Sequence, residues 1–140
     1  AGAGPELDYL KKLSLDLNLT PQVEFLGFKS GSVLDDLISQ AKAIVIPSIW
    51  PENMPFSLLE SMARGKVVLA SKVGGLGELI KDKINGFIFL PNSPRDLKSS
   101  LDLLNQANLL AIGQKARETV APLELQKHLN KLTGIYRELI

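Results

Sequence analysis

The chain contains no cysteine, so disulfides, thiolate catalysis and cysteine zinc sites are all excluded. A lone histidine, His128, cannot by itself build a histidine metal cluster. No apolar run approaches the roughly 20 residues needed to cross a bilayer, and the first residues carry no signal-peptide pattern. Neither sign of charge dominates: the formal net charge is +1, which gives nucleic acid no bulk electrostatic attraction. Internal repeats and low-complexity tracts are missing too. What is present is 140 residues with 45% hydrophobic and 22% charged side chains, the composition of one ordinary globular domain. A reducing cytoplasm is the expected location.

The chain opens on "AGAGP", which reads as the end of a strand-to-helix turn whose strand is absent; a piece of a longer protein is expected. Pro5 suits a first helical position, and Leu7, Leu10, Leu13 and Leu17 recur at helical spacing. "VEFLGF" alternates like a strand. "SVLDDLISQA" reads as a helix opened by Ser30 or Ser32, with Asp35 and Asp36 in its first turn. "AIVIP" and "VVLAS" are continuous apolar runs of strand length, as in parallel strands covered on both faces. Between them a helix is expected to end at Gly65 in a left-handed conformation. "GGLGELIKD" reads as a short helix, and "NG" turns into "FIFLP". Ser93-Pro94-Arg95-Asp96 is a capped helix start, and the pattern stays helical to Ile140, broken at Gly113 and at Ala121-Pro122. His128 falls in that last amphipathic stretch, where a surface or half-buried structural role is expected. Strands alternating with helices predict an α/β fold, a Rossmann-like parallel sheet flanked by helices, with ligands at the carboxyl ends of the strands.

One stretch carries chemistry: "PSIWPENMPFSLLESMARGK", residues 47 to 66, with seven residues between Glu52 and Glu60. Glu60 has two structural explanations. Ser57-x-x-Glu60 matches a capping box, and Glu60 stands four residues before Arg64, an ion-pair spacing; either is worth about 0.5–1 kcal/mol. Glu52 follows Trp50-Pro51 in a loop after a buried strand, where the plain alternative is a solvated carboxylate. Phe56, Leu59, Met62 and Ala63 recur as the core face of the helix. A glycosidase pair needs carboxyl groups roughly 5–10 Å apart, whereas eight helical residues span about 12 Å. Two separate roles along an elongated ligand fit better. The helix start between the acids offers unsatisfied N–H groups to a diphosphate, with a sugar on one side and a ribose on the other.

This segment resembles the E-x7-E motif of the retaining glycosyltransferases of family 4, in their C-terminal, donor-binding domain. The resemblance covers nearly the whole chain, through "GAGPEL", "VEFLGF", "AIVIPS", "PENMPFSLLESMARGKVV", "VGGLGELI", "INGFIFLPNSP" and "IYREL". It implies that residues 1–140 form the nucleotide-sugar-binding domain of a two-domain GT-B enzyme, lacking its first strand or strands and the N-terminal acceptor domain. It places Glu52 on the transferred sugar and Glu60 on the ribose, as the catalytic pair. Asn53, Met54, Pro55, Phe56 and Ser57 would hold sugar and diphosphate oxygens. Phe28 and Lys29 would lie where the base docks, and Gly2 and Gly4 in the turn that approaches the nucleotide. Gly74-Gly75 reads equally as cleft or as plain turn, and Glu78 as a first-turn acid.

The implied reaction is glycosyl transfer with retained configuration from a nucleotide-diphosphate sugar to an acceptor hydroxyl, with no metal or other cofactor. The acceptor, a glycan, lipid or small molecule, would bind the absent domain, and a lipid acceptor would keep the parent peripheral at a membrane. Asn53, Met54 and Pro55 replace the family's frequent glycine-rich helix start, and Val67 and Gly77 stand where proline is usual. The family's arginine/lysine pair, which neutralises the diphosphate, precedes the "GAGP" turn and is not in this chain, so the chain alone is expected to be inactive. Missing strands would leave apolar sheet exposed and favour self-association. The alternative is a non-catalytic sugar-nucleotide-binding module or assembly domain. A receiver-like domain expects an acidic cluster at the strand ends, where only Glu52 is suitably placed.

Overall fold

Val67-Val68-Leu69-Ala70-Ser71 has no polar face to give to water. In the computed structural model, which describes residues 1–138, it is the fully buried central strand of a parallel sheet. The elements are α1 (Leu7–Asp16), α2 (Gly31–Gln40), β1 (Ala43–Ile46), α3 (Phe56–Ala63), β2 (Val67–Ser71), α4 (Leu76–Leu79), β3 (Phe87–Phe89), α5 (Pro94–Gln106), α6 (Leu109–Val120), a 3-10 turn (Ala121–Leu123) and α7 (Leu125–Glu138). The helical pattern that the sequence carries to Ile140, and the last residue of "IYREL", run past the described residues. Two compact units divide the chain at Leu37.

In the larger unit the strand order is β1-β2-β3, all parallel, with Ile46 opposite Ala70 and Ser71 opposite Phe89. Strand periodicity sends alternate β2 side chains to opposite faces. Val68 and Ala70 join Ile46, Leu58, Met62, Leu76, Ile80, Ala116 and Val120 in one core cluster. Val67 and Leu69 join Phe87, Phe89, Leu104 and Ile112 in the other. The α/β reading, the three strands of this unit and the Ser93 cap, whose hydroxyl accepts from the Asp96 N–H, are all present. So is the break at Ala121-Pro122. His128 lies on α7 and is exposed. The "NG" turn is anchored by the buried Asn85 side chain, which accepts from the Lys81 N–H and donates to the Leu79 carbonyl and to Thr119 Oγ1.

Several local expectations are corrected. The inward face of α3 is Leu58, Ser61 and Met62, and Phe56 is 79% exposed. Two residues of helix turn about 200°, so Phe56 stands opposite Leu58. Gly65 does end α3, with φ +69°: its N–H donates to the Met62 carbonyl and the Lys66 N–H to the Ser61 carbonyl, a Schellman pair. Gly113 does not break a helix. It lies inside α6, where glycine is needed because a Cβ would overlap the Gly65 carbonyl; the break comes at Ala107-Asn108, where Asn108 caps α6.

In the smaller unit α1 begins at Leu7, with Pro5 in the preceding turn, and buries only Ser14. "VEFLGF" is not a strand. Alternation selects a face, but a strand also needs a neighbouring ladder. Here the segment's backbone pairing is confined to a bond from the Gly2 N–H to the Gly27 carbonyl (2.7 Å), while the Val23 N–H turns back to Leu19. Because α2 starts at Gly31, Asp35 and Asp36 fall beyond its first turn.

The α3 faces give a direct check. Leu58→Ala should destabilise the chain by about 2–5 kcal/mol in urea unfolding, and Phe56→Ala by less than about 1 kcal/mol. Equal losses would contradict the orientation of α3.

Candidate functional site

Residues 47–55 leave the carboxyl end of β1 as a loop held from two sides. Ser71, at the carboxyl end of the adjacent β2, donates its hydroxyl to the Ser48 carbonyl (2.5 Å). Ser48 Oγ donates in turn to Glu52 Oε1 (2.5 Å). From the turn after β2, the Gly75 N–H donates to the Glu52 carbonyl (2.7 Å). The approach is too close for a side chain: a Cβ at Gly74 would overlap the Glu52 backbone, and one at Gly75 the Asn53 carbonyl. The glycine pair that reads equally as cleft or turn is therefore needed for backbone contact. Glu52 is half-buried, with one carboxylate oxygen oriented by Ser48.

The chain then enters α3 through Pro55, at φ −69° and ψ 133°, with no side-chain cap. Proline carries no N–H, and among the described residues no protein acceptor takes the N–H of Asn53, Met54, Phe56 or Ser57. The N–H groups of Phe56 and Ser57 are orphan donors of a helix N-terminus, where partial positive charge favours an anion, and those of Asn53 and Met54 lie in the loop just before it. The capping box is not formed. Ser57 is already the second helical residue, and its carbonyl accepts from Ser61 Oγ (2.6 Å). The ion pair is not formed either: Arg64 donates to the Glu60 main-chain carbonyl (3.0 Å). Among the described residues the Glu60 carboxylate has no hydrogen bond or salt bridge, and the residue is exposed one turn into α3. Both structural explanations for Glu60 are removed.

Gly2, Gly4, Phe28 and Lys29 belong to the smaller unit. The Gly2–Gly27 bond brings the glycine turn against the stretch that leads into Phe28, and Gly2, Gly4, Leu7, Glu24, Leu26 and Gly27 line one shared cleft. Phe28 is 75% exposed and Lys29 half-buried. Sequence reasoning missed Ser48 and Ser71. The available signal was Ser71 itself, a hydroxyl closing an otherwise apolar buried strand. Among the described residues no three acids or histidines stand together as metal ligands, and no helix is long and apolar enough to cross a membrane.

A parallel sheet with helices on its faces is a Rossmann-like architecture, and the uncapped start of α3 stands at its carboxyl edge. Residues 1–129 match the family described as glycosyl transferases group 1, and the chain belongs to that family. It is 40% identical over 104 residues to an uncharacterized glycosyltransferase of Methanocaldococcus jannaschii, covering 73% of this chain and 26% of that protein. Against the alpha-D-kanosaminyltransferase of Streptomyces kanamyceticus it is 30% identical over 99% of its own length and 36% of that enzyme's. Anabaena HepE, solved in complex with UDP, superposes with a TM-score of 0.84 at 24% identity, over 98% of this chain and 39% of HepE. The fold is that of a single domain of a GT-B enzyme of family 4 type. The chain spans about a quarter to a third of the curated relatives it matches.

Removing room at the loop clamp should show in stability. Gly75→Ala, which drives a Cβ into the Asn53 carbonyl, should cost about 1–3 kcal/mol. Gly77→Ala, with nothing within 4 Å, should be neutral or stabilising. Urea unfolding of the two variants checks this; a Gly75→Ala protein as stable as Gly77→Ala would contradict the contact.

Proposed function

We propose that this chain is the donor-binding domain of a retaining glycosyltransferase, taking a sugar carried on a nucleoside diphosphate. The supporting observation is the pairing of an uncapped helix start with an exposed, unpartnered Glu60 one turn further on. The amides of Asn53, Met54, Phe56 and Ser57 meet the diphosphate oxygens at the positive end of α3. Glu60 accepts from the ribose hydroxyls, as acids do at Rossmann ribose sites. Glu52, its carboxylate set by Ser48, accepts from hydroxyls of the sugar. Gly2, Gly4, Phe28 and Lys29 serve the base, chiefly through backbone groups.

In the reaction the bond from the anomeric carbon to the diphosphate oxygen breaks as the acceptor hydroxyl forms its own bond to that carbon on the same face and gives its proton to the departing diphosphate. The sugar passes through an oxocarbenium-like state and negative charge gathers on the departing diphosphate. Fixed N–H donors that meet this charge without reorganising favour the transition state over bound substrate. A basic pair and the acceptor site come from the rest of a two-domain enzyme, so residues 1–140 bind donor without transferring it. The acceptor is a glycan, lipid or small molecule. This scheme uses no metal and no further cofactor. Membership of the group 1 family and the 30% identity to a kanosaminyltransferase support transfer over a purely structural role.

Calorimetry with UDP-glucose, GDP-mannose and ADP-glucose tests the reading. At least one should bind, and Glu52→Gln and Glu60→Gln should each weaken it by about 10- to 100-fold, the worth of one hydrogen bond to a charged group. Thermal midpoints should hardly move. No binding by any of the three at millimolar concentration, or variants that bind like the wild type, would contradict it.

A further inference from the structure

Trp50 is the sole tryptophan of the chain, and it is 69% exposed. An indole carries one of the largest apolar surfaces of any side chain, so exposing it forgoes substantial burial. A freely moving loop tip would account for that, but this loop is held on both sides of Trp50. The Ser48 carbonyl is bonded to Ser71, and the Glu52 carbonyl to the Gly75 amide. Two residues of chain place the Trp50 and Glu52 Cα atoms at most about 7 Å apart. A presented aromatic ring and a carboxylate thus share one fixed stretch, and the carboxylate is already oriented by Ser48.

Pyranose rings are two-faced in a matching way. Their hydroxyls project around the rim, and their axial C–H bonds make the faces apolar. A carboxylate suits the rim, and an indole suits a face. We propose that Trp50 is a specificity-determining platform for the transferred sugar, with the ring's C–H face on the indole while Glu52 accepts from its hydroxyl edge. This deepens the donor-binding reading above and rests on it. The ligand class it selects is a hexose presenting a flat C–H face, and the nucleoside diphosphate portion makes no use of Trp50.

Being the sole tryptophan, Trp50 reports on itself. The 140-residue chain is titrated with UDP-glucose against UDP, and with GDP-mannose against GDP, following tryptophan emission and calorimetric binding in parallel. The sugar nucleotide that binds should shift the emission to the blue, and its nucleoside diphosphate should leave emission unchanged. Trp50→Ala should reduce the preference for the sugar nucleotide over the diphosphate by about three- to ten-fold, a stacking-sized effect. It should leave diphosphate affinity intact, and Trp50→Phe should keep most of the preference. Unfolding midpoints should be the same in all three proteins. Binding seen by calorimetry with unmoved emission would overturn the platform and leave the donor reading standing. So would a Trp50→Ala protein that loses both ligands equally. If neither of these binds, ADP-glucose is titrated against ADP in the same way, and if that fails too the platform and the reading beneath it fall together. If Trp50→Ala does not fold, the wild-type emission comparison still decides.

Discussion

A single backbone hydrogen bond, from the Gly75 amide to the Glu52 carbonyl, fixes where the candidate site stands. It ties the turn leaving β2 to the loop leaving β1, and the approach is close enough that neither Gly74 nor Gly75 has room for a Cβ. Glu52 is thereby held at the carboxyl edge of the sheet, its side chain set by Ser48 and Ser48 by Ser71. The entry angle into α3 follows from that placement, and with it the direction of the free amides.

The start of α3 is not built for stability. A serine, threonine or aspartate at the N-cap position would contribute about 1 kcal/mol and satisfy one of the orphan donors. Pro55 stands there instead and contributes no side-chain bond. Among the other helices, Ser93 caps α5 and Asn108 caps α6, whereas α1 and α4 start without a side-chain cap, as α3 does. What sets α3 apart is its place, at the carboxyl edge of the sheet with Glu52 before it and Glu60 one turn in.

Much of this was legible in the sequence, because buried parallel strands announce themselves. "AIVIP", "VVLAS" and "FIFLP" are apolar on both faces, and the strands they predict are the three of the larger unit. The Gly65 terminus and the Ser93 cap were equally readable, since each depends on local backbone chemistry. What failed depended on partners. "VEFLGF" has the alternation of a strand but no ladder, and Gly113 looked like a helix breaker until the Gly65 carbonyl was seen beside it. The Ser57–Glu60 spacing matched a capping box, but that motif needs the serine outside the helix, and α3 begins two residues too early. Of the site, the two glutamates were visible as a pattern. Ser48 and Ser71 were not, because their roles exist only once β1 and β2 lie side by side.

The central claim is that the amides entering α3 receive a diphosphate. It is tested most directly by amide chemical shifts of 15N-labelled protein titrated with UDP-glucose, GDP-mannose and ADP-glucose. At least one of them should move the Asn53, Met54, Phe56 and Ser57 resonances furthest, in the downfield sense of an N–H that has gained an acceptor, while the capped amides of Asp96 and Ala111 stay still. A binding ligand that shifts other residues and leaves those four unmoved would contradict it.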